Sequence, residues 1–130
     1  MKKTIMMAAL ALVAVISAAA KTLEFPVTDY DFGTVSEAGK PVVHEFEFKN
    51  VSDEPVAVLS ASAQCGCTHP EYPAKPIAPG ATGVIKVTFV PAGQGGNVNK
   101  DVRVRFRGAT AKKSERVTLR LKGRVTRVGE

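Results

Sequence analysis

From Leu23 onward the hydrophobic residues of this chain fall at every second position, and no stretch of about eleven residues carries the 3.6-residue repeat of an amphipathic helix. The clearest run is Val42 to Asn50. It sets Val42, His44, Phe46 and Phe48 on one face and Val43, Glu45, Glu47 and Lys49 on the other, so the aromatic face is expected to turn inward. Gly83 to Val90 repeats the pattern with Ile85, Val87 and Phe89. Val102, Val104 and Phe106 alternate with Arg103, Arg105 and Arg107, and Val117, Leu119 and Leu121 alternate with Arg116, Thr118, Arg120 and Lys122. Val56 to Ala63 reads as a strand of smaller residues. Leu23 to Val27 reads as a short edge strand broken at Pro26, and Tyr30 to Val35 as a strand with a bend or close backbone approach at Phe32-Gly33. Turns are expected at Glu37 to Pro41 and Val51 to Pro55, and a glycine-rich loop at Pro91 to Asn97. Pro70, Pro73, Pro76 and Pro79 recur every third residue, which predicts an extended, polyproline-like connection ending in a turn at Pro79-Gly80. Short strands punctuated in this way predict an all-β protein, an immunoglobulin-like β-sandwich of seven to eight strands. The inter-sheet disulfide and tryptophan of antibody domains are absent, because the two cysteines are two residues apart and the chain has no tryptophan.

The first twenty residues do not belong to that domain. Lys2 and Lys3 precede an uncharged stretch from Thr4 to Ala20, and Ser17-Ala18-Ala19-Ala20 has the small-residue form cut by signal peptidase. The stretch is seventeen residues long and rich in alanine, short of the ~20 apolar residues of a spanning helix. A cleavable signal peptide over residues 1–20 is therefore expected, followed by one domain over residues 21–130. The mature chain would then lie in a bacterial periplasm or outside the cell, with no transmembrane segment. Without Lys2 and Lys3, sixteen basic residues stand against twelve acidic ones, a net charge of +4 with neutral histidines. An excess of that size permits an anionic partner without requiring one.

The chemistry concentrates in Cys65-Gly66-Cys67-Thr68-His69-Pro70, which holds both cysteines. On an extended chain, positions 65, 67 and 69 share one face and bring two thiols and an imidazole together. Three readings stand side by side. Secretion favours a Cys65–Cys67 disulfide, for which Gly66 must bend the chain. Thiolates select Cu(I) or Zn, and Cys65, Cys67 and His69 would supply three ligands, enough for Cu(I) and one short of a closed zinc site. A small strained ring is also a candidate for thiol exchange. His44 lies on the inward face of its strand and reads as a core histidine with a hydrogen-bond partner. All three methionines fall in the signal peptide, so the usual axial ligand of a blue-copper centre is missing.

The arginines form a second candidate. If the last two strands pair antiparallel, Arg103, Arg105, Arg107, Arg116, Arg120 and Lys122 line one outer face, which needs solvent, carboxylates or an anionic partner. Nucleic acid is disfavoured by secretion and by the absence of aromatics among these arginines. An anionic envelope component or an acidic protein surface remains. The chain has no Gly-x-Ser-x-Gly element, no phosphate-binding glycine loop and no recognisable pair of catalytic carboxylates.

Asp31-Phe32-Gly33-Thr34-Val35, Glu45-Phe46-Glu47-Phe48-Lys49-Asn50, Cys65-Gly66-Cys67-Thr68, Ile77-Ala78-Pro79-Gly80 and Val87-Thr88-Phe89, taken together, form a familiar set. The chain resembles the bacterial secreted domain-of-unknown-function family fifteen-seventy-three. More distantly it resembles immunoglobulin-like domains of the Hydin and major-sperm-protein type. The likeness runs from Phe25 to about Val125, and Cys-Gly-Cys-Thr is its most specific element. It implies a seven- or eight-stranded sandwich and no established activity. The expectation is thus a secreted, non-enzymatic module for protein or cell-envelope contacts, with no cofactor. The alternative is a small thiol-redox or soft-metal protein built on Cys65, Cys67 and His69.

Overall fold

The computed structural model describes residues 22–129. The signal peptide expected over residues 1–20 lies outside the described residues. Among those described, regular structure consists of strands, which form two four-stranded sheets. The first sheet holds β1 (Leu23–Glu24), β3 (Val42–Asn50), β6 (Thr82–Phe89) and β5 (Thr68–Glu71), in the order β1-β3-β6-β5. The second holds β2 (Asp29–Ser36), β8 (Glu115–Thr126), β7 (Gly96–Gly108) and β4 (Val56–Ala63), in the order β2-β8-β7-β4. Every pairing is antiparallel except β2 with β8. The expected sandwich is present, with eight strands.

The alternation read from the sequence decides what is buried. Phe46 and Phe48 of β3 and Ile85, Val87 and Phe89 of β6 face Val102, Val104 and Phe106 of β7 and Leu119, Leu121 and Val125 of β8, all buried. Each such side chain contributes roughly 1.5–3 kcal/mol on leaving water. Phe25 spans the two sheets, with its ring 5.2 Å from that of Phe48 and 6.5 Å from that of Phe106. Gly83 pairs with Phe48 across the β3–β6 ladder, and a Cβ built on it would lie 2.5 Å from the Phe48 ring, so a larger residue requires that buried ring to shift. The bend expected at Phe32-Gly33 is a register shift between Asp31 and Thr34. There Gly33 takes φ 78° and donates its N–H to Asp31 Oδ1 at 2.8 Å. That left-handed conformation suits glycine because it has no Cβ to clash.

Asn50, fully buried at the end of β3, ties two connections to the core. Its Nδ2 donates to the carbonyls of Glu54 and Ile77, each at 2.8 Å, and its Oδ1 accepts from the Ser52 N–H at 2.9 Å and the Ser52 hydroxyl at 2.7 Å. The proline segment is therefore not free. Ile77 exchanges two backbone hydrogen bonds with Val56 of β4, at 2.8 and 3.0 Å. The first part of that segment also departs from the expected polyproline path, since Thr68–Glu71 pairs with β6 as a strand. Pro70 is tolerated there because β5 lies at a sheet edge, where one row of backbone groups needs no partner strand.

Candidate functional site

Gln64 to Cys67 forms the corner at which the chain leaves the second sheet (β4) and enters the first (β5). The Thr68 N–H bonds to the Cys65 carbonyl at 3.3 Å and closes a turn with Gly66 exposed at its tip. Val90 N–H anchors the Cys67 carbonyl at 2.8 Å. The turn brings the two Cα atoms to 5.2 Å, and Cys65 and Cys67 are joined in a disulfide. Cys67 packs against the core and its Sγ lies 3.5 Å from the buried Thr68 hydroxyl. The Cys67 N–H points at the Cys65 Sγ, 3.1 Å away. A loop-entropy account gives a three-residue ring about 1.6 kcal/mol of stabilisation, against about 3 for a fifteen-residue loop. As a staple this disulfide is weak.

The three-ligand site expected from Cys65, Cys67 and His69 is not assembled. The motif turns rather than extending, so the period-2 argument fails between residues 65 and 68. Strand alternation resumes with Thr68 buried and sends exposed His69 to the opposite, outer face of β5, beside Thr88 of β6. Among the described residues, no group of three or more His, Cys, Asp or Glu side chains is placed to hold a metal ion. His44 is inward, as expected, but its partners are rings and not a hydrogen-bonding group. It stacks on Tyr30 at 3.8 Å and meets Phe46 edge-on at 4.6 Å. Burial pushes its imidazole below the usual pKa, and the nearby Glu45 carboxylate opposes that shift only in part.

The last two strands do pair antiparallel, and the six expected residues lie on one outer face. The register divides them. Arg120 stands between Asp29 of β2 and Asp101 of β7, and donates from Nε to Asp101 at 2.9 Å. That hydrogen bond and the Asp101 charge hold its guanidinium above the usual pKa. Lys122 lies between Asp31 and Asn99. Arg103, Arg105, Arg107 and Arg116 are different: all are exposed, and none makes an ion pair with a described residue. Arg105 sits directly opposite Arg116, and the flanking positions on β4 and β8 are Ser60, Ser62 and Thr118. Asp29 and Asp31 have no local signal as neighbours of the basic stripe, because β2 joins β8 in parallel across nearly the whole length of the domain. Asp101 alone had a local signal, as the residue that starts the Asp-Val-Arg-Val-Arg alternation.

Two four-stranded sheets closed over one aromatic core, with the first strands passing between them at Pro26, place the protein among immunoglobulin-like folds of the PapD-like and MSP-domain class. The structure is similar to the ASH/PapD-like domain 7 of human CEP192, with a TM-score of 0.70 and 13% identity over 92% of this chain and 98% of that one. It is also similar to a protein of unknown function from Porphyromonas gingivalis W83 (0.65, 17%, covering 79% of this chain and 46% of that one). A third similar structure is SSP-19, an MSP-domain protein of Caenorhabditis elegans (0.51, 17%, 71% and 92%). At these identities the likeness is one of fold. The chain belongs to the family described as protein of unknown function (DUF1573), whose model matches residues 23–125. No curated protein matches it.

Proposed function

We propose that the protein is a secreted, non-enzymatic immunoglobulin-like module that docks an acidic surface of a partner protein on the outer face of β4, β7 and β8. The observation that carries this reading is the cluster of Arg103, Arg105, Arg107 and Arg116, exposed and without carboxylate partners among the described residues. Like charges placed directly opposite destabilise a sheet, here by up to about 1 kcal/mol for Arg105 and Arg116. A face that retains such a pair is served by a ligand that neutralises it. Guanidinium groups also suit the task, because their planar fork binds carboxylates through two parallel hydrogen bonds.

The test is a charge reversal with two readouts. Arg116→Glu is expected to stabilise the fold by about 0.5 kcal/mol, since it pairs with Arg105. The same change should weaken binding to poly-L-glutamate by about tenfold, and added salt should weaken the unaltered protein's binding as well. Unaltered binding alongside the gain in stability would defeat the proposal. Retention on anionic vesicles with none on poly-L-glutamate would overturn the protein partner in favour of an envelope lipid.

A further inference from the structure

The corner disulfide differs from a structural cross-link in where its two sulfurs stand. Both cysteines are partly buried, but Cys65 lines a cavity of about 100 Å³ shared with Gln64, Lys100 and Asp101, which Cys67 does not reach. Cys67 is backed by the hydrophobic core. A thiolate approaching the bond from solvent therefore has its path through the cavity, to Cys65. Disulfides that solvent thiols can reach are the ones that exchange, and attack goes to the accessible sulfur. We propose that Cys65–Cys67 is a thiol–disulfide exchange site that oxidises an exposed dithiol of a partner polypeptide, with Cys65 as the attacked sulfur.

The steps balance without any further reagent. One substrate thiol gives its proton to water and attacks Cys65 Sγ. The protein S–S bond breaks, and its electron pair goes to Cys67 Sγ, which takes up a proton with the Thr68 hydroxyl 3.5 Å away. The second substrate thiol then loses its proton and attacks the substrate sulfur of the mixed disulfide, and Cys65 leaves as a thiolate. That leaving group meets the Cys67 N–H, which already points at its sulfur, and lies in a cavity that Lys100 also lines. Asp101, which lines the same cavity, is paired with Arg120 at 2.9 Å. A lower thiol pKa makes a faster leaving group. The substrate loses two electrons and two protons and becomes a disulfide, and the protein ends as a dithiol after one turnover per chain.

The exchange does not rest on the arginine face, and the probe separates the two. A neutral synthetic peptide carrying two cysteines is mixed with the oxidised protein, the reaction is quenched in acid, and thiols are alkylated and counted by mass spectrometry. Peptide disulfide and protein dithiol are expected to appear one for one. In a Cys67→Ser protein, Cys65 should form a mixed disulfide with oxidised glutathione at least about tenfold faster than Cys67 does in a Cys65→Ser protein. Lys100→Gln, added to Cys67→Ser, should slow alkylation of Cys65. Three results would overturn the proposal: a disulfide that survives excess peptide dithiol, a Cys67 that reacts as fast as Cys65, or loss of the native circular dichroism spectrum of the unaltered protein on reduction. None of them bears on binding to poly-L-glutamate.

Discussion

Asn50→Ala removes a side chain that makes four hydrogen bonds inside a fully buried site. Two of its partners have another bond. The Ile77 carbonyl still accepts from Val56 N–H at 3.0 Å, and the Ser52 hydroxyl, released from Oδ1, can turn its one proton to the Glu54 carbonyl 3.1 Å away. The Ser52 N–H loses its only described acceptor. At about 0.5–1.5 kcal/mol per bond, less for the partners that remain satisfied, the expected loss is about 3 kcal/mol. For a domain of this size that corresponds to a fall in melting temperature on the order of 10 °C. Asn50→Asp sharpens the test, because it keeps Oδ1 and replaces the Nδ2 donor with an oxygen aimed at two carbonyls. Buried and repelled, that carboxyl would titrate above its unfolded value of about 3.9, so the folded state binds the extra proton and stability falls as pH rises. Asn50→Asp should therefore be at least as damaging as Asn50→Ala at neutral pH and should regain stability, relative to Asn50→Ala, on acidification. Urea unfolding followed by far-ultraviolet circular dichroism, at neutral and acidic pH, measures both. A loss under about 1 kcal/mol for Asn50→Ala, or the same pH dependence in the two variants, would refute the idea that this amide anchors the Ser52 and Ile77 connections.

Two further outcomes are expected. Gly83→Ala drives a methyl group into the Phe48 ring, 2.5 Å from its nearest atom, and should cost about 1–3 kcal/mol in thermal unfolding; a neutral result would show that the ring swings aside freely. His44 has its pKa lowered by burial, so the unfolded chain binds the proton more readily, and stability should fall as pH drops below the ordinary value of 6.5. His44→Phe keeps the stack on Tyr30 without the proton and should flatten that part of the pH–stability curve, which an unchanged slope would contradict.

Strand identity was written locally. Val42–Asn50 runs as its alternation indicates, Val56–Ala63 is the expected strand of smaller residues, and the residues of β6, β7 and β8 named by period 2 point inward. A one-residue slip would turn every phenylalanine of β3 to solvent, so burial itself enforces the register. The stripe of arginines was legible for the same reason. Its division was not. Whether an arginine meets a carboxylate or another arginine depends on which strands lie side by side, and the parallel pairing of Asp29 with Arg120 joins residues far apart in the chain, with no local signal. The corner shows the same limit. Two cysteines and a histidine at alternate positions share a face only while the chain stays extended, and the crossing between sheets required a turn at Gly66 that joined Cys65 to Cys67 and sent His69 to the other side. Asn50 read as the polar end of a strand, yet the turns closing above it buried it, because their carbonyls and N–H groups needed partners once water was gone. Periodicity along the chain is a property of neighbouring residues, and the sequence therefore determined which faces are apolar. Charge pairing, the path of the cysteines and the satisfaction of buried polar groups depend on distant segments meeting, and only the tertiary structure decided them.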